Sequence, residues 1–167
     1  MTENEAFARM EELMAQLPAM EQRGLKLARA RAAREVLALA EHAEVLEQES
    51  ANYTAIYKAA LAAAEAAHEA QDAQTEARDL GKARAHAELI AVRRAPLERA
   101  WNAHEQALGA GGFPNEEEAR TAALTDVDFA ALEQEVEDFR REYTEVFELC
   151  QNYDTTEKRD APYRPEN

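Results

Sequence analysis

Eight residues near the C-terminus, Phe129, Leu132, Val136, Phe139, Tyr143, Val146, Cys150 and Tyr153, follow one another in alternating steps of three and four. At 3.6 residues per turn, that spacing places all eight on one stripe of an α-helix. A stripe so regular is the mark of a helix that buries itself against a partner helix. No run of alternating β-branched residues offers a strand in its place. Composition agrees: hydrophobic residues make up 46% of the chain, but alanine alone exceeds a fifth of it, and only 7% is aromatic. Charged residues reach 32%, with five glycines and five prolines among 167 residues, which is the composition of long helices. The expected fold is all-α.

The chain reads as helices over about 3–17, 19–71, 79–108, 116–123 and 127–153, forming one helical-bundle domain over 1–154. The flexible tail is expected at 155–167. In the first helix, Phe7, Met10, Met14 and Leu17 repeat the spacing, with Leu13 widening the stripe, and Pro18 is expected to break the helix by opening the next one. The second helix carries Leu25, Ala32, Val36, Leu39, Ala43, Leu46, Ser50, Tyr53, Tyr57, Ala60, Ala64 and Ala67 in phase, with Arg29 the one charged intruder. Its far half is almost all alanine along the contact face, a seam that permits close approach but buries little area per residue. The pattern lapses between Ala70 and Asp79, which indicates a reversal with Asp72, Thr75 or Asp79 as N-cap. The rival is one uninterrupted helix past residue 90.

In the third helix, Leu80, Ala83, Ala87, Ile90, Arg94, Leu97, Trp101, His104 and Leu108 keep the spacing, and Pro96 within it suggests a kink. The breaker cluster GAGGFPN then follows, with Gly109 as C-cap and Asn115 as N-cap of a short acidic helix. Volume and charge indicate which helices meet. The alanine-rich far half of the second helix suits the lightly built third in a tight antiparallel hairpin. The bulky stripe of 127–153 needs the bulkier near half and the first helix. Arg23, Lys26, Arg29, Arg31 and Arg34 on that near half face a C-terminal helix rich in glutamate. The architecture is therefore an elongated antiparallel bundle, or coiled-coil hairpin, with a long central helix and three to four main helices. A compact four-helix bundle with a break near Ser50 and Asn52 is the alternative.

Signals for chemistry are weak. Glu65 and His68 form one Glu-x-x-His pair, the spacing by which ferritin-like bundles hold iron, but that site needs a second pair and two further glutamates. Zinc cysteine pairs, a phosphate-binding glycine loop and a Gly-x-Ser-x-Gly elbow are absent from the sequence. The expectation is no enzyme, no metal and no cofactor. Net charge of −15 disfavours direct binding to nucleic acid or anionic membrane, and no apolar stretch approaches bilayer length. A single cysteine and no signal peptide suggest a cytoplasmic protein.

A structural or adaptor protein acting through helix–helix contact, with a protein partner or with itself, is the function this pattern favours. Its packing and interface candidates are Leu25, Val36, Leu39, Leu46, Tyr53, Tyr57, Trp101, Phe129, Phe139 and Tyr143. The alternative is an acidic inhibitor or nucleic-acid mimic that covers a basic surface of a DNA- or RNA-handling protein. Its candidates are Glu116, Glu117, Glu118, Glu135, Asp138 and Glu142. Arg94 within the third seam is expected to reach outward to solvent. Tyr163, in the tail sequence Ala161-Pro162-Tyr163-Arg164-Pro165, offers a short docking peptide, with a frayed end as the default.

Overall fold

The computed structural model describes the backbone of residues 1–160 and the side chains of residues 1–153. Among these residues the protein is an all-α helical bundle with four helices and no strand: α1 (Glu3–Glu69), α2 (Ala73–Gly111), α3 (Glu116–Ala122) and α4 (Asp126–Asp160). The chain divides into two compact units. One comprises Met1–Arg31 with the chain from Leu124 onward, and the other comprises Ala32–Ala123.

In the first unit the opening segment of α1 runs antiparallel to α4. Ala6, Met10 and Leu13 pack with Val146 and Cys150, while Met20 and Leu27 pack with Val136. The stripe on α4 is thus buried as its spacing requires, with Phe129, Leu132, Phe139, Tyr143 and Tyr153 half-covered along the same seam. The stripe on α1 differs from expectation. Phe7 and Met14 stand 42% and 57% exposed, whereas Ala6 and Leu13, one residue earlier, are buried. Two parallel stripes lie side by side here, and the heptad register favours the one containing Ala6 although Phe7 is larger.

Pro18 does not break the helix; α1 continues through it to Glu69. A proline inside a helix costs about 3 kcal/mol, because the N–H to residue 14 is lost and the ring crowds that turn. Here Leu13 and Met20, buried on either side against α4, hold one helical path, and Pro18 itself lies on the exposed side. The segment around Ser50 and Asn52 is likewise helical throughout.

In the second unit the rest of α1 returns through a tight turn into α2. α1 ends with backbone N–H bonds from Asp72 to Ala67 O and from Gln71 to His68 O, and Gln71 adopts φ 57°. This is a Schellman turn with a non-glycine residue at the left-handed position. Asp72 then caps α2, accepting from Thr75 N at 3.1 Å. Its carboxyl is held below the ordinary aspartate range chiefly by its hydrogen bonds from Thr75. The hairpin is antiparallel and its seam is alanine: Ala40, Ala43, Ala60, Ala64 and Ala67 on α1, Ala83 and Ala100 on α2. Arg93 pairs with Glu49 at 3.1 Å, and the Tyr53 and His86 rings lie 6.2 Å apart. α2 begins at Ala73 rather than 79, and Asp79, bonded on both oxygens by Arg78, is buried where Leu80 was expected. Leu80 is 47% exposed.

α2 passes through Pro96 and extends to Gly111. Its cap is Gly112, at φ 66°, rather than Gly109, because the chain reverses only where Phe113 folds back. Phe113 N donates to Leu108 O, and its ring is buried with Ala33, Val36 and Ala119. Asn115 opens α3 by accepting from Glu118 N at 2.9 Å. At the other end of the chain, residues 155–160, expected in a flexible tail, continue α4. The sequence offers no helix breaker before Pro162. The Tyr163 docking-peptide reading falls at 161–167, outside the described residues.

Candidate functional site

The two flanks of the α1–α4 pair are unlike. One carries ions. Arg9 Nε donates to Glu142 Oε1 at 2.7 Å, and Arg23, two heptads further along α1, pairs with Glu135. The Arg9 hydrogen bond holds the Glu142 carboxyl below its usual range. Arg31 also pairs with Glu133. These contacts join basic residues of α1 to acidic residues of α4, as charge complementarity suggested.

The opposite flank exposes large apolar side chains, and the Arg31 pair falls on it, since Glu133 stands one heptad before Arg140 and two before Phe147. Phe7, Met14 and Leu25 lie on it at spacings of seven and eleven, and Leu25 is 64% exposed. Phe147 of α4, 43% exposed, stacks on Tyr143 with ring centroids 6.3 Å apart. Near Leu25 this flank opens into a groove of about 490 Å³ lined by Leu17, Met20, Glu21, Gly24, Leu25, Val136, Phe139 and Arg140. The cause is legible in the residues: Gly24 occupies the seam step between Met20 and Leu27, and a Cβ there would meet nothing within 4 Å. A seam glycine leaves unfilled the volume that leucine or alanine takes elsewhere.

The residues singled out from sequence are spread over both units. Phe129, Phe139 and Tyr143 sit half-buried on the α4 seam, and Val36 is fully buried beside Phe113. Leu39, Leu46, Tyr53 and Tyr57 are half-buried along α1. Trp101, also half-buried, meets His104 edge-on with centroids 5.6 Å apart. Leu25 departs from expectation by facing solvent while Leu27, 4% exposed, takes the seam. Phe7, Met14 and Phe147 were not among the interface candidates, and Gly24 in mid-seam was the sequence signal for the groove.

The acidic candidates are largely engaged within the fold. Glu135 pairs with Arg23, Asp138 with Arg141, Glu142 with Arg9, and Glu116 with Arg120. Glu117 and Glu118 stay exposed at the start of α3. Arg94 reaches outward and pairs with Glu98 of its own helix at 3.1 Å. Of the Glu-x-x-His pair, His68 Nδ1 lies 3.1 Å from Glu76 Oε1, and Glu65 lines the same exposed hairpin end. No three His, Cys, Asp or Glu side chains are grouped to hold a metal among the described residues. No helix among them is long and apolar enough to cross a membrane. Compared with known protein families, curated proteins and solved structures, the chain has no match.

Proposed function

We propose that this chain is a non-enzymatic structural or adaptor protein that works by helix–helix contact with another protein. The observation that carries this reading is the flank of the α1–α4 pair on which Phe7, Met14, Leu25 and Phe147 stand exposed beside an apolar groove. Large apolar side chains grouped on one flank carry a standing cost in water, and a partner helix removes it. The unit helps to explain why a partner is needed, since a two-helix seam containing Ala6 and Gly24 buries modest area by itself. A nucleic-acid mimic requires carboxylates free to face a basic surface, and four of its six candidate residues are held by arginines of the chain itself. A reducing, cytoplasmic setting suits the buried thiol of Cys150.

Light scattering over a concentration series, paired with affinity capture from the cells that make the protein, tests the reading. The expected result is a stoichiometric protein complex that Leu25→Glu and Met14→Glu both weaken. A monomer at every concentration, with capture unchanged by either substitution, would contradict it.

A further inference from the structure

We infer that one face of the α1–α2 hairpin is a two-fold interface, on which a second copy of this chain packs hairpin to hairpin. The inference goes beyond the α1–α4 flank and stands or falls apart from it. Two rows of residues make the face. On α1, Val45, Glu49, Asn52 and Ile56 follow one another in steps of four, three and four, and on α2 so do Ala85, Leu89, Val92 and Pro96. Seam residues show that the rows lie side by side. Tyr53 stands four after Glu49 and three before Ile56, His86 three before Leu89 and Arg93 four after it. Tyr53 meets His86 with ring centroids 6.2 Å apart, and Arg93 pairs with Glu49 at 3.1 Å. Val45, Ile56, Leu89 and Val92 are all exposed, Val92 by 71%. The one charge in the two rows, Glu49, is the one paired with Arg93. Over the same stretch the hairpin's other face carries Glu47, Lys58, Arg94 and Glu98. A compact, uncharged cluster of large apolar side chains on one face is the pattern of a contact surface.

Self-complementarity selects the occupant. Steps of four, three and four read the same in both directions. The α1 row is centred between residues 50 and 51, and the α2 row between 90 and 91. Because Glu49 stands level with Arg93 and Tyr53 with His86, those two centres lie at about the same height along the hairpin. One two-fold axis crossing the face at that height therefore matches both rows to their own copies. It sets Val45 against Ile56 of the second copy, Leu89 against Val92, and Glu49 against Asn52. Gln48 Nε2 donates to Asn52 Oδ1 at 3.2 Å, and the Asn52 amide nitrogen has protons to give to the facing carboxylate. Area agrees. The 39 residues of α2 make about 58 Å of helix, and two helices are about 20 Å wide, room for the ~800 Å² each partner of a stable complex buries. Charge acts against the contact in two places: each copy carries −15, and the axis sets Lys82 level with Arg99 of the second copy. Both effects are open to test.

Sedimentation equilibrium of the full chain over a concentration series tests the inference. The expected result is a reversible dimer that tightens with added salt, which screens the repulsion between copies. Val92→Glu should weaken it about tenfold or more. Asn52→Asp, which sets a carboxylate against Glu49, should weaken it too, and Lys82→Glu, which meets Arg99, should tighten it at low salt. All three positions are exposed, so unchanged far-UV circular dichroism separates these effects from misfolding. Register is read by cross-linking. Positions 45 and 56 lie eleven residues apart on one helix, about 16 Å, so a disulfide between them closes only between copies. Oxidation of the double variant Val45→Cys, Ile56→Cys should give a covalent dimer, and either single variant should not. A monomer at every concentration, a dimer indifferent to Val92→Glu, or no cross-link from the double variant would each overturn the inference. Leu25→Glu lies on the other unit and should leave the dimer unchanged. A dimer that Leu25→Glu dissolves and Val92→Glu does not would overturn it as well, placing the contact between copies on the α1–α4 flank while the adaptor reading stands.

Discussion

Gln71 and Gly112 occupy the same position in two Schellman turns, at φ 57° and φ 66°, and only one of them is glycine. A side chain in the left-handed region costs about 1–2 kcal/mol through crowding of Cβ against the following carbonyl. Gln71→Gly should therefore stabilise the hairpin by about 1 kcal/mol, read as a higher urea midpoint. An unchanged or lower midpoint would show that the turn does not carry that strain. Gly111 behaves oppositely, for a packing reason rather than a backbone one. A Cβ there would come within 2.6 Å of the Phe113 ring. That ring is buried with Ala33, Val36 and Ala119, so moving it disturbs their packing. Gly111→Ala should cost about 1–3 kcal/mol, measurable by the same unfolding experiment. Sequence marked GAGGF as a breaker, but the assignment of the cap to Gly109 failed. What fixes the turn is where Phe113 finds cover, a contact with residues some eighty positions away.

At the scale of elements, the register of α4 was legible because its seam residues are bulky and no competing stripe exists. The near half of α1 was harder to read. Phe7, Met14 and Leu25 form a stripe beside the true seam of Ala6, Met10, Leu13, Met20 and Leu27. Choosing by residue size selects the wrong one, since burial follows the register imposed by α4. Pro18 misled for a related reason: local propensity opposes the helix there, and tertiary contacts on both sides outweigh it. The α1–α4 pairing also makes a statement about pH. Glu142, bonded by Arg9, has its carboxyl lowered in the folded state, so its contribution is present at neutral pH. That contribution is lost as pH falls through and below the ordinary carboxylate range, about pH 4. Both side chains are partly exposed, so the effect is modest. Thermal melts between pH 7 and pH 3 should show the wild type losing more stability than Arg9→Ala. Parallel curves would mean that the ion pair contributes nothing.

At the largest scale, the α1–α4 pair carries the Arg9–Glu142 and Arg23–Glu135 ion pairs on one flank and exposes Phe7, Met14, Leu25 and Phe147 on the other. Sequence conveyed the helical class, the pairing of α1 with both α2 and α4, and a reversal between Ala70 and Asp79 with Asp72 as one of three candidate caps. It did not convey the groove, because a glycine in a heptad reads as a weak seam residue until the partner helix shows that nothing else fills the space. The adaptor reading depends on that difference between flanks. A photo-activatable phenylalanine analogue placed at Met14, and separately at Gln16 on the ion-paired flank, reports directly which side a partner touches. In the cells that make the protein, the account predicts a discrete protein adduct from Met14 and none from Gln16. Adducts of equal yield from both positions, or from Gln16 alone, would contradict it.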